Sequence, residues 1–347
     1  MLQEVSKENV VVARPYTLIL RVTERCEVGC DHCCINAIPT GSEMDLELLE
    51  DTLDGAKESG VGLIHISGGE PLMHSEVEQF VRRSTERGFY VELTTSTYSK
   101  QGENDAARLA GMKTAGLKRV MLSYDMAHAA RVSIDHFAEF VREAQAEDLE
   151  VCVVTVEWEG SAWPLERVKS ECESRGVNGE LVDWCRSNLS SVGRAARSYR
   201  KKAAPSGKGA RCPYILTAPT LAPDGTVFLC PNLQSRSKLY QLGNVRKQPM
   251  AEILGTLQSS RFYRSLSALG PHGAAEVIGL TLDELSEDMC DCCQVVLKVA
   301  EDPNSYAKVE DAISDEETVP VDIEALLPGH RRFVLGEERP QAGCLCG

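Results

Sequence analysis

Short apolar runs alternate with amphipathic segments through the first half of the chain. Such runs are typical of buried strands, whereas apolar residues that recur every three or four positions indicate helices. The predicted strands are Thr17–Val22, Val61–Ile66, Tyr90–Thr95, Arg119–Ser123, Glu150–Val156 and a fainter sixth around Glu180–Cys185. The predicted helices between them are Met44–Ser59, Ser75–Arg87, Asp105–Ala115, Ser133–Ala146 and Pro164–Arg175.

This alternation predicts an α/β fold. Repeated strand–helix units with short connections indicate a parallel sheet covered by helices. About six units are too few for the closed eight-stranded barrel. Ligands of parallel sheets bind at the carboxyl ends of the strands, so functional residues are expected in the segments that follow the predicted strands.

The pattern changes near residue 200. Two apolar stretches, Ile215–Leu221 and Thr226–Leu229, predict a β-hairpin, and helices follow near Met250–Gly255 and Ser259–Ala268. Acidic residues and prolines come next, which suits an exposed, loosely held segment. The expected organisation is an N-terminal arm (1–16), a first domain (17–200), a smaller second domain (201–300) and an acidic C-terminal segment (301–347) that ends in Cys-Leu-Cys-Gly.

Charge and hydropathy exclude several classes of partner. The formal net charge of −15 argues against a nucleic-acid partner, because phosphate contacts need clustered lysine and arginine. The chain has no run of about twenty apolar residues, so no membrane span is expected. The N-terminus lacks a basic-then-apolar signal, which predicts a cytoplasmic protein.

Fourteen cysteines in such a chain favour metal binding over disulfides. Cys26, Cys30 and Cys33 follow the first predicted strand with the spacing C-x3-C-x2-C. Three thiolates can hold three irons of a [4Fe–4S] cube, which leaves the fourth iron open to a ligand that is not protein. Cys34, the next residue, is expected to point elsewhere as a core thiol.

The C-x3-C-x2-C loop resembles the defining loop of the radical S-adenosylmethionine (radical SAM) superfamily. Gly68-Gly69-Glu70-Pro71, after the second predicted strand, resembles the GGEP motif of that family. The resemblance implies an open (β/α)6 partial TIM barrel in which the open iron chelates S-adenosylmethionine. It also implies that Gly68, Gly69 and Glu70 hold the methionine amino group, and that a flavodoxin- or ferredoxin-type donor supplies the electron.

Two weaker matches add cofactor-binding candidates. Ser123 begins a Ser-x-Asp element that resembles one often found near the ribose and carboxylate of the cofactor. Arg194 lies in a Gly-Arg-Ala element that resembles one found after the sixth strand in several subfamilies. Both elements equally suit ordinary turns. No catalytic acid, base or hydrogen donor is assigned.

A second set of cysteines surrounds the predicted hairpin. Cys212 and Cys230 bracket it with the spacing C-x12-G-x4-C, and Cys290 and Cys293 follow with the spacing C-x2-C. The pattern resembles the SPASM auxiliary-cluster domain in its shorter, single-cluster form, called twitch. It implies a second, auxiliary [4Fe–4S] cluster on these four thiols. Four cysteines suit a tetrahedral zinc ion equally well, and Cys292 competes with Cys293 for the last position.

The resemblance implies an enzyme that cleaves S-adenosylmethionine to a 5′-deoxyadenosyl radical, which then takes a hydrogen atom from a substrate. Only 25 residues precede Cys26, too few for a leader-peptide recognition domain. A small polar natural product (a sugar, aminocyclitol or nucleoside) is therefore favoured as substrate, undergoing oxidation, epimerisation or decarboxylation. One alternative is a peptide-modifying enzyme that epimerises or cross-links a precursor peptide. Another is a non-catalytic zinc or iron–sulfur scaffold.

Overall fold

A nine-stranded sheet runs through the part of the chain that the computed structural model describes, namely residues 10–12, 14–98, 105–199, 210–232, 237–281, 285–314 and 320–322. The strands in chain order are β1 (Val10–Val12), β2 (Thr17–Thr23), β3 (Leu63–Gly68), β4 (Tyr90–Thr95), β5 (Arg119–Ser123), β6 (Glu150–Glu157), β7 (Val182–Asn188), β8 (Thr220–Leu221), β9 (Thr226–Phe228), β10 (Gln241–Asn244) and β11 (Pro320–Asp322).

Six strands of the large sheet, β2 to β7, pair in parallel and in chain order. Strand β8 joins in parallel on the other side of β2, and β9 and β10 continue the sheet antiparallel. Strands β7 and β10 form the two edges, so the sheet is open. The predicted α/β fold with an open barrel of six parallel strands is confirmed.

The part described contains ten α-helices, of which the first five connect β2 to β7 and cover the outer face of the sheet, and the other five follow β7. They are α1 (Leu46–Glu58), α2 (Val77–Glu86), α3 (Asp105–Ala115), α4 (Ile134–Ala146), α5 (Leu165–Glu173), α6 (Ala195–Ser198), α7 (Met250–Ser259), α8 (Arg261–Val277), α9 (Met289–Val299) and α10 (Pro303–Glu310). Alternate strand residues such as Ile64, Val91 and Val120 are fully buried in one apolar core with Leu49 and Phe80 of the helices. The intervening residues point to the opposite, inner face of the sheet.

The C-terminal part has its own apolar core, in which Phe262 and Leu266 of α8 pack with Val296 and Leu297 of α9. This second unit is joined to the barrel along α1. There the Arg246 Nη2 atom lies 2.8 Å from an oxygen of Asp45, the residue that caps the start of α1.

The first strand of the predicted hairpin is much shorter than the sequence pattern indicates. Residues 215–219 are not in a strand, because Thr217 and Ala218 donate backbone hydrogen bonds to the Tyr214 carbonyl at 3.1 Å and close a turn. Leu216 has a positive φ of 72°, which a strand does not permit. Only β8 remains extended, and β10 adds an unpredicted third strand to the hairpin.

The acidic segment contains a packed helix, contrary to the prediction of a loosely held segment. Residues 303–310 form α10, whose Tyr306 ring stacks on Phe262 with centroids 4.5 Å apart and whose Val309 is buried. The N-terminal arm contains β1, which pairs with β11. Residues 315–319 and 323–347, including Cys344 and Cys346, lie outside the described residues. The helices that the structure describes include none long and apolar enough to cross a membrane.

Candidate functional site

The first cysteine loop leaves β2 at the carboxyl edge of the parallel strands and folds back on itself. The Cys26 amide donates to the Ile38 carbonyl at 3.0 Å, and the Ile38 amide donates to the Glu24 carbonyl at 3.1 Å. Further along, the Cys33 amide donates to the Cys30 carbonyl at 3.1 Å. These contacts close the loop, so its three cysteines face one region at the predicted end of the barrel.

The three thiols are close enough to affect one another electrostatically. Cys26 and Cys30 are each 8% exposed, and burial raises the pKa of both thiols, with the neighbouring Cys33 thiol adding to the effect. Buried thiolates near one another are costly unless a cation binds them. The donor set therefore fits a metal group, which would supply the missing positive charge.

Gly68 and Gly69 bring the end of β3 against the backbone at the base of this loop. A Cβ atom at Gly68 would lie 2.3 Å from the Thr23 carbonyl oxygen, and one at Gly69 would lie 2.1 Å from the Arg25 carbonyl oxygen. The Gly69 amide donates to Thr23 at 2.6 Å, and the Glu70 amide donates to Arg25 at 2.7 Å. Only glycine permits this approach, so here the two glycines serve contact between two protein segments.

The Glu70 carboxylate is completely buried and ties β3 to the end of β4. Its oxygens accept hydrogen bonds from the Leu72 amide at 3.0 Å, from the Thr95 hydroxyl at 2.6 Å, and from both the amide (2.8 Å) and the hydroxyl of Ser96. Burial raises the pKa of Glu70 despite these four donors. The role of Glu70 towards the methionine amino group stays a prediction.

Ser123 and Arg194 differ in how they relate to the loop. Ser123 ends β5, at the same edge of the sheet. Arg194 donates from Nε to the Cys30 carbonyl at 3.0 Å, from Nη1 to the Ala37 carbonyl at 2.9 Å and from its amide to the Cys33 carbonyl at 2.9 Å. Its Nη2 atom is buried without a hydrogen-bond partner in the part of the chain described. The cofactor-binding roles of both residues stay predictions.

A buried carboxylate between two histidines lies beside Cys30. An Asp125 oxygen lies 2.9 Å from His32 Nε2, and the other lies 2.9 Å from His128 Nδ1. Burial by itself would raise the pKa of Asp125, but the His128 and His32 rings lower it strongly overall. His32 and Asp125 are 93 residues apart in the chain, so sequence spacing gave no means of pairing them.

The second set of thiols gathers at the start of α9. Burial raises the pKa of Cys290 and Cys293 well above the usual range, and the Cys212 and Cys230 thiols raise it further. Cys292 is also buried, but the groups that raise its pKa after burial are Asp291 and Asp288. The electrostatic neighbours therefore group Cys293, one helical turn after Cys290, with Cys212 and Cys230.

One compact group of possible ligands lies at the first site. Among the residues described, Cys30, His32 and His128 form the one group of three with ligand atoms all within 4.8 Å of one another. Cys30 belongs to the first cysteine set, and both histidines contact Asp125.

Comparison with known proteins supports these features. The radical SAM superfamily matches residues 20–156, and the SPASM iron–sulfur cluster-binding domain matches residues 212–294. A PqqA peptide cyclase of Rhodopseudomonas palustris is 32% identical over 117 residues, which is 33% of this chain and 30% of that protein. A GTP 3′,8-cyclase of Pelotomaculum thermopropionicum is 32% identical over 129 residues, which is 36% of this chain and 37% of that protein.

The chain thus spans about a third of the length of these two relatives. The solved structure of native anSMEcpe with bound AdoMet and Cp18Cys peptide is similar in fold, with a TM-score of 0.53 and 14% sequence identity. That similarity covers 86% of this chain and 96% of that one.

The fold and both thiol sets define an iron–sulfur enzyme built on an open α/β barrel. The chain belongs to the radical SAM superfamily and carries a C-terminal SPASM domain. Its cofactors are S-adenosylmethionine, the [4Fe–4S] cluster that binds it and an auxiliary [4Fe–4S] cluster. The predicted enzyme class and cofactors are therefore confirmed, and neither the zinc ion nor the non-catalytic scaffold is supported.

Proposed function

We propose that this enzyme modifies a peptide. The observation that carries the proposal is the similarity of about a third of the chain to a PqqA peptide cyclase, in a chain that also contains a SPASM domain. The open edge of the sheet at β7 supports the same substrate class, because an extended chain can approach the inner face from the side. This reading replaces the small polar natural product as the favoured substrate.

In this proposal Cys26, Cys30 and Cys33 hold the cluster that binds S-adenosylmethionine. When bound, that pair of cofactors supplies a 5′-deoxyadenosyl radical able to take a hydrogen atom from a C–H bond. Glu70 keeps the ends of β3 and β4 together beside the cofactor, and Asp125 holds the two histidines. The remaining candidates, Gly68, Gly69, Ser123 and Arg194, line or support the same cofactor site.

The second thiol set completes the proposed machinery. Cys212, Cys230, Cys290 and Cys293 hold the auxiliary cluster, and a flavodoxin- or ferredoxin-type protein delivers the electron.

The test compares two substrate classes on one holoenzyme. Reconstituted enzyme is reduced without oxygen and given S-adenosylmethionine with either a pool of synthetic peptides or GTP. We expect peptides, and not GTP, to raise 5′-deoxyadenosine formation above its uncoupled rate. The peptide product should lose two hydrogens if it is cross-linked, or gain one deuterium from D2O if it is epimerised. Stimulation by GTP with no change in any peptide would overturn the proposal.

A nucleotide is the second candidate substrate. It rests on the GTP 3′,8-cyclase, which matches at the same 32% identity over a similar length of the chain. It also agrees with the nucleoside among the small polar substrates that the sequence favours. In the experiment above, GTP-dependent 5′-deoxyadenosine together with an altered nucleotide would establish this candidate.

A further inference from the structure

Five residues between β7 and α6 lie between the two cysteine sites. We name Ser190–Arg194 the linking segment. At its start, the Ser190 side chain hydrogen-bonds the Cys290 thiol, and the Ser191 amide donates to Asp288 at 3.4 Å. Asp288 is 5% exposed and caps the start of α9 by accepting from the Asp291 amide at 2.8 Å. One end of the segment is therefore fixed to the helix that carries the auxiliary thiols.

The other end is fixed to the first cysteine loop. Gly193 has a φ of 60°, and a Cβ atom there would lie 2.3 Å from the Cys33 carbonyl oxygen and 2.5 Å from that of Cys34. Arg194 donates three hydrogen bonds, to the carbonyls of Cys30, Cys33 and Ala37. Glycine thus permits the contact, and arginine holds it at three points.

The linking segment is rigid between these two ends. Val192 is 1% exposed and belongs to the apolar core of the second unit. The guanidinium group is planar, and its donors are fixed relative to one another, so it sets both the distance and the direction of the two carbonyls that its side chain binds. A displacement of the start of α9 must therefore move the Cys30–Ala37 part of the loop.

We propose that the linking segment couples the two cluster sites, so that the auxiliary site fixes the geometry of the loop that binds S-adenosylmethionine, with Arg194 as its positioning residue. The proposal rests on the ligand assignment of the proposed function and is independent of the substrate. The Arg194 side chain positions the first cysteine loop by binding its carbonyl oxygens. The contact of Ser190 with Cys290 connects the linking segment to the second site.

The first experiment measures iron loss from the holoenzyme in the presence of a chelator. Arg194→Gln should lose the iron of the S-adenosylmethionine site at least about tenfold faster than the wild type, the effect of losing one charged hydrogen bond. Arg194→Lys should lose iron at a rate between those of Arg194→Gln and the wild type, because lysine keeps the positive charge but lacks the planar set of guanidinium donors. Arg197→Gln is the matched control, since Arg197 is an exposed arginine three residues later.

The signals of the two clusters are separated by electron paramagnetic resonance, since S-adenosylmethionine shifts only the signal of the cluster that binds it. Selective loss of that signal in Arg194→Gln supports the positioning role. Equal loss of both clusters, or a wild-type rate of iron loss, would overturn it.

The second experiment tests the coupling. Ser190→Ala removes the contact with Cys290 and leaves every cysteine in place. The S-adenosylmethionine-shifted signal should change in shape, although the mutation lies at the auxiliary site. A change confined to the auxiliary signal would refute the coupling. Cys30→Ala serves as a separate check: if this variant kept the shifted signal, the ligand assignment itself would be wrong.

Discussion

At the scale of single residues, two glycines determine whether the cysteine loop can form. A side chain at Gly68 or Gly69 would occupy the space of backbone atoms of Thr23 or Arg25. Backbone atoms held in a sheet move less easily than the end of a flexible side chain. The GGEP pattern therefore has a packing reason here that does not depend on the cofactor.

We expect Gly69→Ala to lower the free energy of unfolding by about 1–3 kcal/mol, because the loop base must move to admit the methyl group. The iron bound at the first site should fall, while the auxiliary iron is retained. Urea unfolding and iron analysis measure both effects. Gly255→Ala is the control, since no atom lies within 4 Å of the added methyl group. Alanine in the interior of α7 should raise the free energy of unfolding by about 0.5–1 kcal/mol. Full iron content in Gly69→Ala would contradict the explanation.

Cys292 and Cys293 offer a second test at this scale. Cys293→Ala should reduce the iron of reconstituted protein from about eight atoms per chain to about four, since Cys293 is a ligand of the auxiliary cluster in our proposal. Cys292→Ala should leave about eight, because none of the other thiols is among the groups that raise the pKa of Cys292. The reverse result in the two variants would move the ligand assignment to Cys292.

At the scale of the strands, charged side chains cross the inner face of the barrel. His65 Nδ1 on β3 lies 2.5 Å from Glu92 on β4, and Arg119 on β5 lies 3.0 Å from Asp183 on β7. Glu92 and Arg119 are direct partners in the register of β4 and β5 and are 2% and 1% exposed. The row therefore places ionisable side chains on four of the strands.

Arg119→Met should lower the free energy of unfolding by about 3–5 kcal/mol, because it removes the buried cation that pairs with Asp183 and lies near the Glu92 carboxylate. The double variant Arg119→Met/Glu92→Gln should recover a large part of this loss. Thermal or urea unfolding gives both values. Arg142→Met, at an exposed position on α4, should cost less than about 0.5 kcal/mol. A double variant no more stable than the single one would argue against this charge pairing.

The sequence predicted most accurately the bounds of helices and strands that have a clear local periodicity. The strands Tyr90–Thr95 and Arg119–Ser123 and the helix Asp105–Ala115 have the predicted bounds, since alternation and helical spacing are local. The strand from Ile215 failed because the turn at Tyr214 depends on backbone hydrogen bonds that apolar residues do not reveal.

In the candidate site too, features with a local sequence signal were predictable and contacts between distant residues were not. Cysteine spacing predicted both thiol sets, because clusters fix how far apart their ligands stand in a loop, and the ligand roles stay predictions. The contact of Arg194 with the loop spans 164 residues, and the two histidines meet at Asp125 only in the folded barrel. Such pairings depend on the sheet order and cannot be obtained from spacing.

At the scale of the whole molecule, the two units share one sheet. Strand β8 pairs with β2, whose seven residues are all buried, so the second unit covers what would otherwise be the edge of the barrel. The predicted boundary near residue 200 therefore divides neither the sheet nor the cores, since Leu221 and Met250 pack in the first core and Val192 packs in the second.

A fragment ending at residue 199 should aggregate, because it exposes the β2 edge and the face of α1 that α7 covers. Size-exclusion chromatography and binding of a hydrophobic dye measure this. The control is a fragment ending at residue 314, which removes residues 315–347 and keeps all nine strands of the large sheet; it should be monomeric. A monomeric, cooperatively unfolding 1–199 fragment would show that the barrel is independent.

The pairing of β2 with β8 also sets an order of events during synthesis. The first cysteine loop leaves the ribosome early, but its two later supports, Arg194 and β8, are made about 160 to 190 residues afterwards. At about 5–20 residues per second this delay is about 8–40 s. Ribosome-bound chains stalled before Arg194 should therefore hold less iron than chains stalled well beyond Leu221. The consequence is that delivery of iron to the first cysteine loop has to wait until the second unit has been made. A cell short of iron–sulfur carrier proteins would accumulate nascent chains whose cysteines hold no metal.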